Sequence, residues 1–235
     1  MAEAMSNVRA DFDRLALVAG EGWDHNGHYH EFLARHVPAP CGAALDVGCG
    51  TGAFSRRLAR DAGRVLALDL SPNMIRVARE RSAQFPNVEF RVADVLTFDL
   101  PAETFDCVAS IATLHHLPPA ETLSKLKRAL KPGGVLLVLD LFQPDGLSDT
   151  LRNALAVPLS LGLRLLRRGR LRPPHEVRRA WAEHGRHDSY LTLARVREVC
   201  ARVLPGARVT RHLLWRYSIV WKKAASVTNV PHSSV

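Results

Sequence analysis

From residue 43 onward the chain alternates short, almost wholly apolar runs with stretches whose apolar residues recur every three or four positions. AALDVG (43–48), RVLALDL (64–70), VEFRVAD (88–94), FDCVASIA (105–112) and GVLLVLDL (134–141) are of strand length. Most are too apolar to keep one face in water, which predicts strands covered on both sides. Helices are predicted between them. AFSRRLARDAG (53–63) ends at Gly63 as a C-cap, SPNMIRVARERSAQF (71–85) opens with Ser71 as N-cap and Pro72 at the first helical position, and AETLSKLKRAL (120–130) is stopped by Pro132-Gly133-Gly134. Strand and helix in repetition predict an α/β fold with a doubly wound, mostly parallel sheet, whose ligands sit at the carboxyl ends of the strands.

Either side of this region the rhythm differs. Residues 8–36 read as helical, with GEGWDHNGHYH as an interrupting loop. LRNALAVPLSLGLRLLRRGRLRPP (151–174) is rich in Leu and Arg with Pro158 and Gly162 inside, which predicts one or two broken helices over the strand ends. TLARVREVCARVLP (192–205) predicts a helix, ARVTRHLLWRYSIVWKK (207–223) a closing hairpin, and the last dozen residues a disordered tail. The expected organisation is therefore a helical N-terminal cap over 1–40, a sheet domain over 41–223 with an insertion at about 142–190, and a tail over 224–235.

With 235 residues, 47% hydrophobic and 23% charged, the chain can bury a sizeable core without a disulfide or metal staple. Its four cysteines show no CxxC spacing, so free thiols in a reducing cytoplasm are expected. The N-terminus has early acids and no apolar core, unlike a signal peptide, and no uncharged apolar run approaches the roughly 20 residues that span a bilayer. The charge of +9 is uneven: residues 1–141 carry a net −2 and residues 142–235 a net +11. Such a basic half suits a solvated surface, nucleic acid, anionic lipid or an acidic substrate.

The chemistry concentrates in LDVGCGTGAFS (45–55). Gly48, Gly50 and Gly52 follow the first strand with GxGxG spacing, and no Lys-Ser/Thr pair follows, so this is not a phosphate loop. Asp46 precedes the glycines, where a cation is favoured over a pyrophosphate. Asp69 ends the second strand and can accept from both hydroxyls of a ribose. Asp94 ends the third.

These residues resemble the class I S-adenosylmethionine-dependent methyltransferases. LDVGCGTG, LALDLSPNMI, FRVADV, FDCVASIATLHHL and LKPGGVLLVLD match the five family motifs in order over residues 43–141. The resemblance implies a seven-stranded Rossmann-like sheet whose last strand is antiparallel, with a helical lid insertion. It also implies S-adenosyl-L-methionine as cofactor. The glycine loop with Cys49 would pass beneath the methionine part, and Asp46 would help hold its ammonium. Asp69 would bind the ribose diol, with Leu70 next to it in the cofactor site, and Met74 would pack on the adenine. Asp94 would accept from the adenine amino group with Val95 beside it, and Ser110 and Ile111 would lie near the methionine moiety. A phosphate-free ligand that carries a sulfonium and an ammonium fits a site of carboxylates and bare backbone rather than a lysine clamp.

Methyl transfer needs a nucleophile held in line with the sulfonium methyl, and a base only where that nucleophile arrives protonated. His115 and His116 in LHHL are the candidate bases, His115 first; capping or packing is the plainer role for either. Two segments expected to roof the site add acceptor-lining candidates: Trp23, His28 and Tyr29 in WDHNGHYH, and His187 and Tyr190 in WAEHGRHDSY, where His184 and Asp188 also stand. HxxHxH and HxxHD contain metal-ligand types, but nothing in the spacing fixes a tetrahedral set, so no metal is expected. The stretch 151–172 reads as a lid helix pair, as an amphipathic contact for a membrane surface or carrier protein, or as a basic nucleic-acid face.

The expected activity is methylation of O, N or C on a small molecule, a natural-product or lipid-like acceptor. The alternative is an RNA or protein methyltransferase using the basic half. Against it, SIATLHH lacks the Asn/Asp-Pro-Pro-aromatic pattern of amino-methylating nucleic-acid enzymes, no Pro-Cys nucleophile follows the fourth strand, and few aromatics interleave the arginines.

Overall fold

A computed structural model describes residues 2–18, 25–145, 174–185 and 188–225, together with 156–158, 160–163, 165–166 and 169. Seven strands form one sheet: β1 (Cys41–Val47), β2 (Ala62–Asp69), β3 (Val88–Val92), β4 (Phe105–Ile111), β5 (Leu130–Leu141), β6 (Arg208–Arg211) and β7 (Arg216–Lys222). Their order is β3-β2-β1-β4-β5-β7-β6. β1 to β5 pair in parallel, and β7 runs antiparallel to both β5 and β6. The sheet is the expected one, including the hairpin and the antiparallel last strand. Strand order reverses between β1 and β4, so the tips of β1, β2 and β4 converge on one crevice.

Side chains alternate across the central strands, which puts a core on each face. Leu45, Val47, Val108, Leu136 and Val138 pack with Leu123 and Leu126 of α5 (Pro119–Ala129) and Val196 and Val199 of α7 (Leu193–Val203). Ala44, Cys107, Ala109, Leu137 and Leu139 meet Leu33 of α2 (His30–Ala34) and Phe54 and Leu58 of α3 (Ala53–Leu58) on the other. Each fully buried leucine contributes about 1.5–3 kcal/mol by leaving water. All four cysteines are buried and unpaired.

Local signals hold in several places. Ser71 caps α4 (Pro72–Arg81) by accepting from the Met74 amide at 3.0 Å. Thr192 caps α7 in the same way, from the Arg195 amide at 3.3 Å. Two expected helix stops fall elsewhere. Helix α3 ends at Leu58, and Gly63 lies within β2, where an added Cβ would come 3.0 Å from the Gly42 carbonyl oxygen. Gly63 is small because two strands approach there, not because a helix turns. Likewise α5 ends at Ala129, and Pro132-Gly133-Gly134 lie inside β5 at a register shift against β4, with Gly133 at φ 80°. The bulge tolerates the missing amide of proline, so the triplet bends a strand.

Before the sheet, α1 spans Ala2–Val18, and the expected loop carries a 3-10 turn over Gly27–Tyr29. Helix α1 packs on α4 and on α6 (His175–His184) of the insertion. Leu15 and Ala16 of α1 bury against Met74 and Val77. Of 151–172, much falls outside the described residues; Leu161, Leu165 and Leu166 are exposed, while Ser160 is buried and 2.8 Å from His25 Nε2. The tail beyond residue 225 lies outside as well. No described helix is long and apolar enough to cross a membrane.

Candidate active site

The glycine loop connects β1 to α3. Gly48, Gly50 and Gly52 have φ of 69°, 52° and 78°, a region where a side chain is strained. A Cβ on Gly48 would stand 2.0 Å from Thr113 Oγ1, and one on Gly52 would stand 2.9 Å from the Phe90 ring. A Cβ on Gly50 would meet nothing within 4 Å. The outer two glycines therefore admit neighbouring side chains, and Gly50 borders open space where a ligand can meet bare backbone. The Gly48 and Cys49 amides donate to the Leu68 carbonyl at 2.8 and 3.0 Å, tying the loop to β2.

Two carboxylates lie under this loop. Asp69 accepts from the Gly50 amide at 2.8 Å and the Ser71 amide at 2.9 Å. Burial raises its pKa to about 6 despite those bonds, and Asp13 raises it further. Asp46 is 1% exposed and accepts from the Ser55 hydroxyl at 2.6 Å. Burial pushes its pKa up to about 7; the Ser55 bond opposes this and Asp69 adds to it. Two acids held this far above the usual carboxylate range form a region where a cation is favoured.

The other cofactor candidates surround them. Leu70 is half-buried, Cys49 and Met74 are buried, and Met74 packs on α1. Asp94 is half-buried and accepts from the Leu96 amide at 2.9 Å, while Val95 is buried in the core beneath. Ser110 is buried at the end of β4, and Ile111 is half-buried. Ala112, next along, has a left-handed φ of 51°, a strained geometry for a residue with a side chain that fits a turn into a site.

Beyond that turn His115 and His116 occupy a 3-10 helix over Leu114–His116. His115 meets Asp140 twice: its amide donates to Oδ2 at 2.8 Å, and Nδ1 lies 2.6 Å from Oδ1. Asp140 has no exposure and ends β5. An ionised carboxylate only accepts, so this contact places the proton of a neutral His115 on Nδ1 and its lone pair on Nε2. The His116 ring lies 3.9 Å from that of His115, with Nδ1 3.5 Å from Asp188. Burial lowers the His116 pKa to about 4, helped by His115, so this imidazole is neutral at pH 7.

Residues of α1, α6 and the segment after α6 pack against the pair. Phe12 of α1 lies edge-on to His116 at 5.6 Å and to His184 at 4.7 Å. His184 of α6 stands 3.3 Å from Asp11 and 3.6 Å from Asp188. Tyr190 packs its ring 5.0 Å from His115 and donates its hydroxyl to Asp188 at 2.7 Å. Asp13 accepts from the Ser71 hydroxyl at 2.5 Å and the Asn73 amide at 3.1 Å, fixing α1 to the start of α4.

Of the acceptor candidates, Tyr190 is brought to His115. Tyr29 is buried and donates to the Leu213 carbonyl at 2.7 Å, with the exposed His28 ring beside it at 4.9 Å, so this pair packs on the β6–β7 turn. Trp23 and His187 lie outside the described residues. Sequence reasoning passed over Asp140, Asp11, Asp13 and Phe12. Asp140 alone carries a readable sign, an acid closing a long apolar strand.

Known proteins match this arrangement. A family model described as a methyltransferase domain fits residues 45–138. An uncharacterized methyltransferase of Mycobacterium tuberculosis (strain ATCC 25618 / H37Rv) is 34% identical over 202 residues, 85% of this chain and 96% of that protein. The ubiquinone biosynthesis O-methyltransferase of Xanthomonas campestris pv. campestris (strain B100) is 34% identical over 145 residues, 55% of this chain and 60% of that protein. The fold is shared with the N-methyltransferase NodS of Bradyrhizobium japonicum WM9, solved with S-adenosyl-L-homocysteine, at TM-score 0.61 and 18% identity over 92% of this chain and 98% of that one. With its glycine loop, its acids at successive strand tips and a relative matched along nearly its whole length, this chain belongs to the class I S-adenosylmethionine-dependent methyltransferases.

Proposed function

We propose that the chain methylates a hydroxyl or amine of a small-molecule acceptor, with His115 as the general base. The observation that carries this reading is the buried Asp140–His115 pair, with the Tyr190 ring 5.0 Å from the His115 ring and Phe12 against the neighbouring His116. The residues suit the cofactor: a bare-backbone edge at Gly50 and two buried carboxylates beside it. When bound, S-adenosylmethionine supplies an electrophilic methyl on a positively charged sulfur.

Asp69 accepts from the ribose hydroxyls, since two of its roughly four acceptor sites are already used by amides and two remain. Gly48, Cys49 and Gly50 lie under the methionine part, Gly52 sets the turn into α3, and Asp46 favours the ammonium through its field. Leu70 and Met74 wall the adenine, Asp94 and Val95 meet its amino edge, and Ser110 and Ile111 line the methionine side. His115 Nε2 takes the acceptor proton, and Asp140 stabilises the imidazolium that forms. His116, held neutral, lines the acceptor space with Tyr190. The N-terminal segment and the insertion at about 142–190 act as lids over the domain that runs to residue 223, and Trp23, His28, Tyr29 and His187 belong to the acceptor side. The exposed Leu161, Leu165 and Leu166 would suit contact of the stretch 151–172 with a membrane surface or carrier protein beside its reading as a lid helix pair, with the protein in the cytoplasm.

The test is methyl-labelled S-adenosylmethionine offered with fractionated small-molecule, RNA and protein pools. Label is expected in the small-molecule pool, and label confined to macromolecules overturns the acceptor class. On the small-molecule acceptor, His115→Gln is expected to lower kcat by about 10²–10⁴, the range of general-base catalysis, with S-adenosylhomocysteine affinity unchanged. A wild-type kcat removes His115 from the mechanism.

A further inference from the structure

The tertiary structure brings together donors that the chain keeps 72 residues apart: His115 and His116 after β4, and Asp188 after α6. One ligand atom from each lies within 4.8 Å of the other two. His116 is only 7% exposed at its side chain, and its Nε2 has no hydrogen-bond partner among the described residues. Its Nδ1 stands 3.5 Å from the Asp188 carboxylate, which is 4% exposed. That is too long for an N–H···O bond, which spans about 2.7–3.2 Å. It is close to the edge of a tetrahedron of donors around one ion, about 3.4 Å for metal–ligand distances near 2.1 Å. An Nδ1 met this poorly is costly in a buried imidazole, unless something else binds between it and the carboxylate.

The surroundings have the form that metal sites take. A ligating histidine commonly gives its other nitrogen to a carboxylate, and His115 gives Nδ1 to Asp140 at 2.6 Å. The Asp188 carboxylate is itself oriented by the Tyr190 hydroxyl at 2.7 Å. Two imidazoles and one carboxylate with an open fourth position make the donor set of a catalytic site for zinc or a similar divalent ion.

We propose that His115 Nε2, His116 Nδ1 and Asp188 hold one divalent transition-metal ion, with the open position turned to an oxygen of the acceptor. The ion and the acceptor proton compete for one lone pair on His115: with the ion bound, the ion would polarise the acceptor hydroxyl so that its proton passes to solvent water, and without it His115 takes the proton. The role toward the acceptor rests on the function proposed above; the binding of the ion does not.

The probe is cobalt(II) chloride, added to protein first stripped with EDTA and followed by its visible d–d absorption and by thermal shift. One equivalent is expected to bind with the band of a four- or five-coordinate ion and to raise Tm. His116→Ala and Asp188→Asn are expected to weaken cobalt binding at least tenfold while S-adenosylhomocysteine affinity, measured by calorimetry, stays at the wild-type value. His116→Gln replaces His116→Ala should the latter fail that folding control. Cobalt bound equally by wild type and variants, or not bound by wild type, overturns the site. If turnover still depends on His115 in either of those cases, the general-base function survives and only the ion falls.

Discussion

Replacing Asp69 by asparagine tests the cofactor site at its centre. The Asp69 pKa of about 6 means that the carboxylate is about nine-tenths ionised at pH 7 and about one-tenth ionised at pH 5. A nucleoside whose ribose donates two hydroxyls selects the ionised form, which only accepts. Its affinity should therefore fall about tenfold from pH 7 to pH 5, or about 1.4 kcal/mol. Removing the charge while keeping the shape costs about 2 kcal/mol, the scale of charge-assisted hydrogen bonds, which is roughly a thirtyfold weaker Kd at pH 7.5. The asparagine oxygen can still accept from one of the two amides, so the loop is expected to keep its path. The assay is calorimetric titration of S-adenosylhomocysteine into wild type and Asp69→Asn from pH 5 to 8. The reasoning fails if wild-type affinity is flat between pH 5 and 7, or if the asparagine variant binds as wild type does at pH 7.5.

Asp46→Asn should stabilise the ligand-free protein at high pH. The folded-state pKa of about 7 lies above the ordinary 3.8, so the folded protein holds the extra proton, and stability is lost as pH rises through that interval. The full penalty is about 4 kcal/mol, and urea unfolding at pH 5 and 8 should show wild type losing stability where the variant does not. Gly50→Ala, at φ 52° with open space around it, should cost about 1–2 kcal/mol of stability yet strongly weaken S-adenosylhomocysteine binding. Gly52→Ala must also displace the Phe90 ring, so its thermal midpoint should fall further. Asp140→Asn should lower kcat with little change in KM, since it acts through the orientation of His115; an unaltered kcat would contradict that role.

The strands and most helices were legible because apolar period, caps and turn residues act over a few positions. Ser71 caps as its neighbours demanded. Gly63 and Pro132-Gly133-Gly134 misled for a shared reason: glycine and proline mark a bend or a close approach without saying whether a helix or a strand makes it. The same holds in the glycine loop, where the spacing was plain, but only Thr113 and Phe90 distinguish the glycines that admit a side chain from the one that borders open space.

What the sequence determined by itself was the order of elements and the acids placed at successive strand tips, since each of those lies at the end of its own apolar run. The tertiary structure alone decided which side chains meet: Asp140 with His115, Asp188 with His116, Asp13 with Ser71. Those pairs are 25, 72 and 58 residues apart. Periodicity fixes which face of an element is buried, but the contacts across elements depend on sheet register and helix packing, which no local run of residues records.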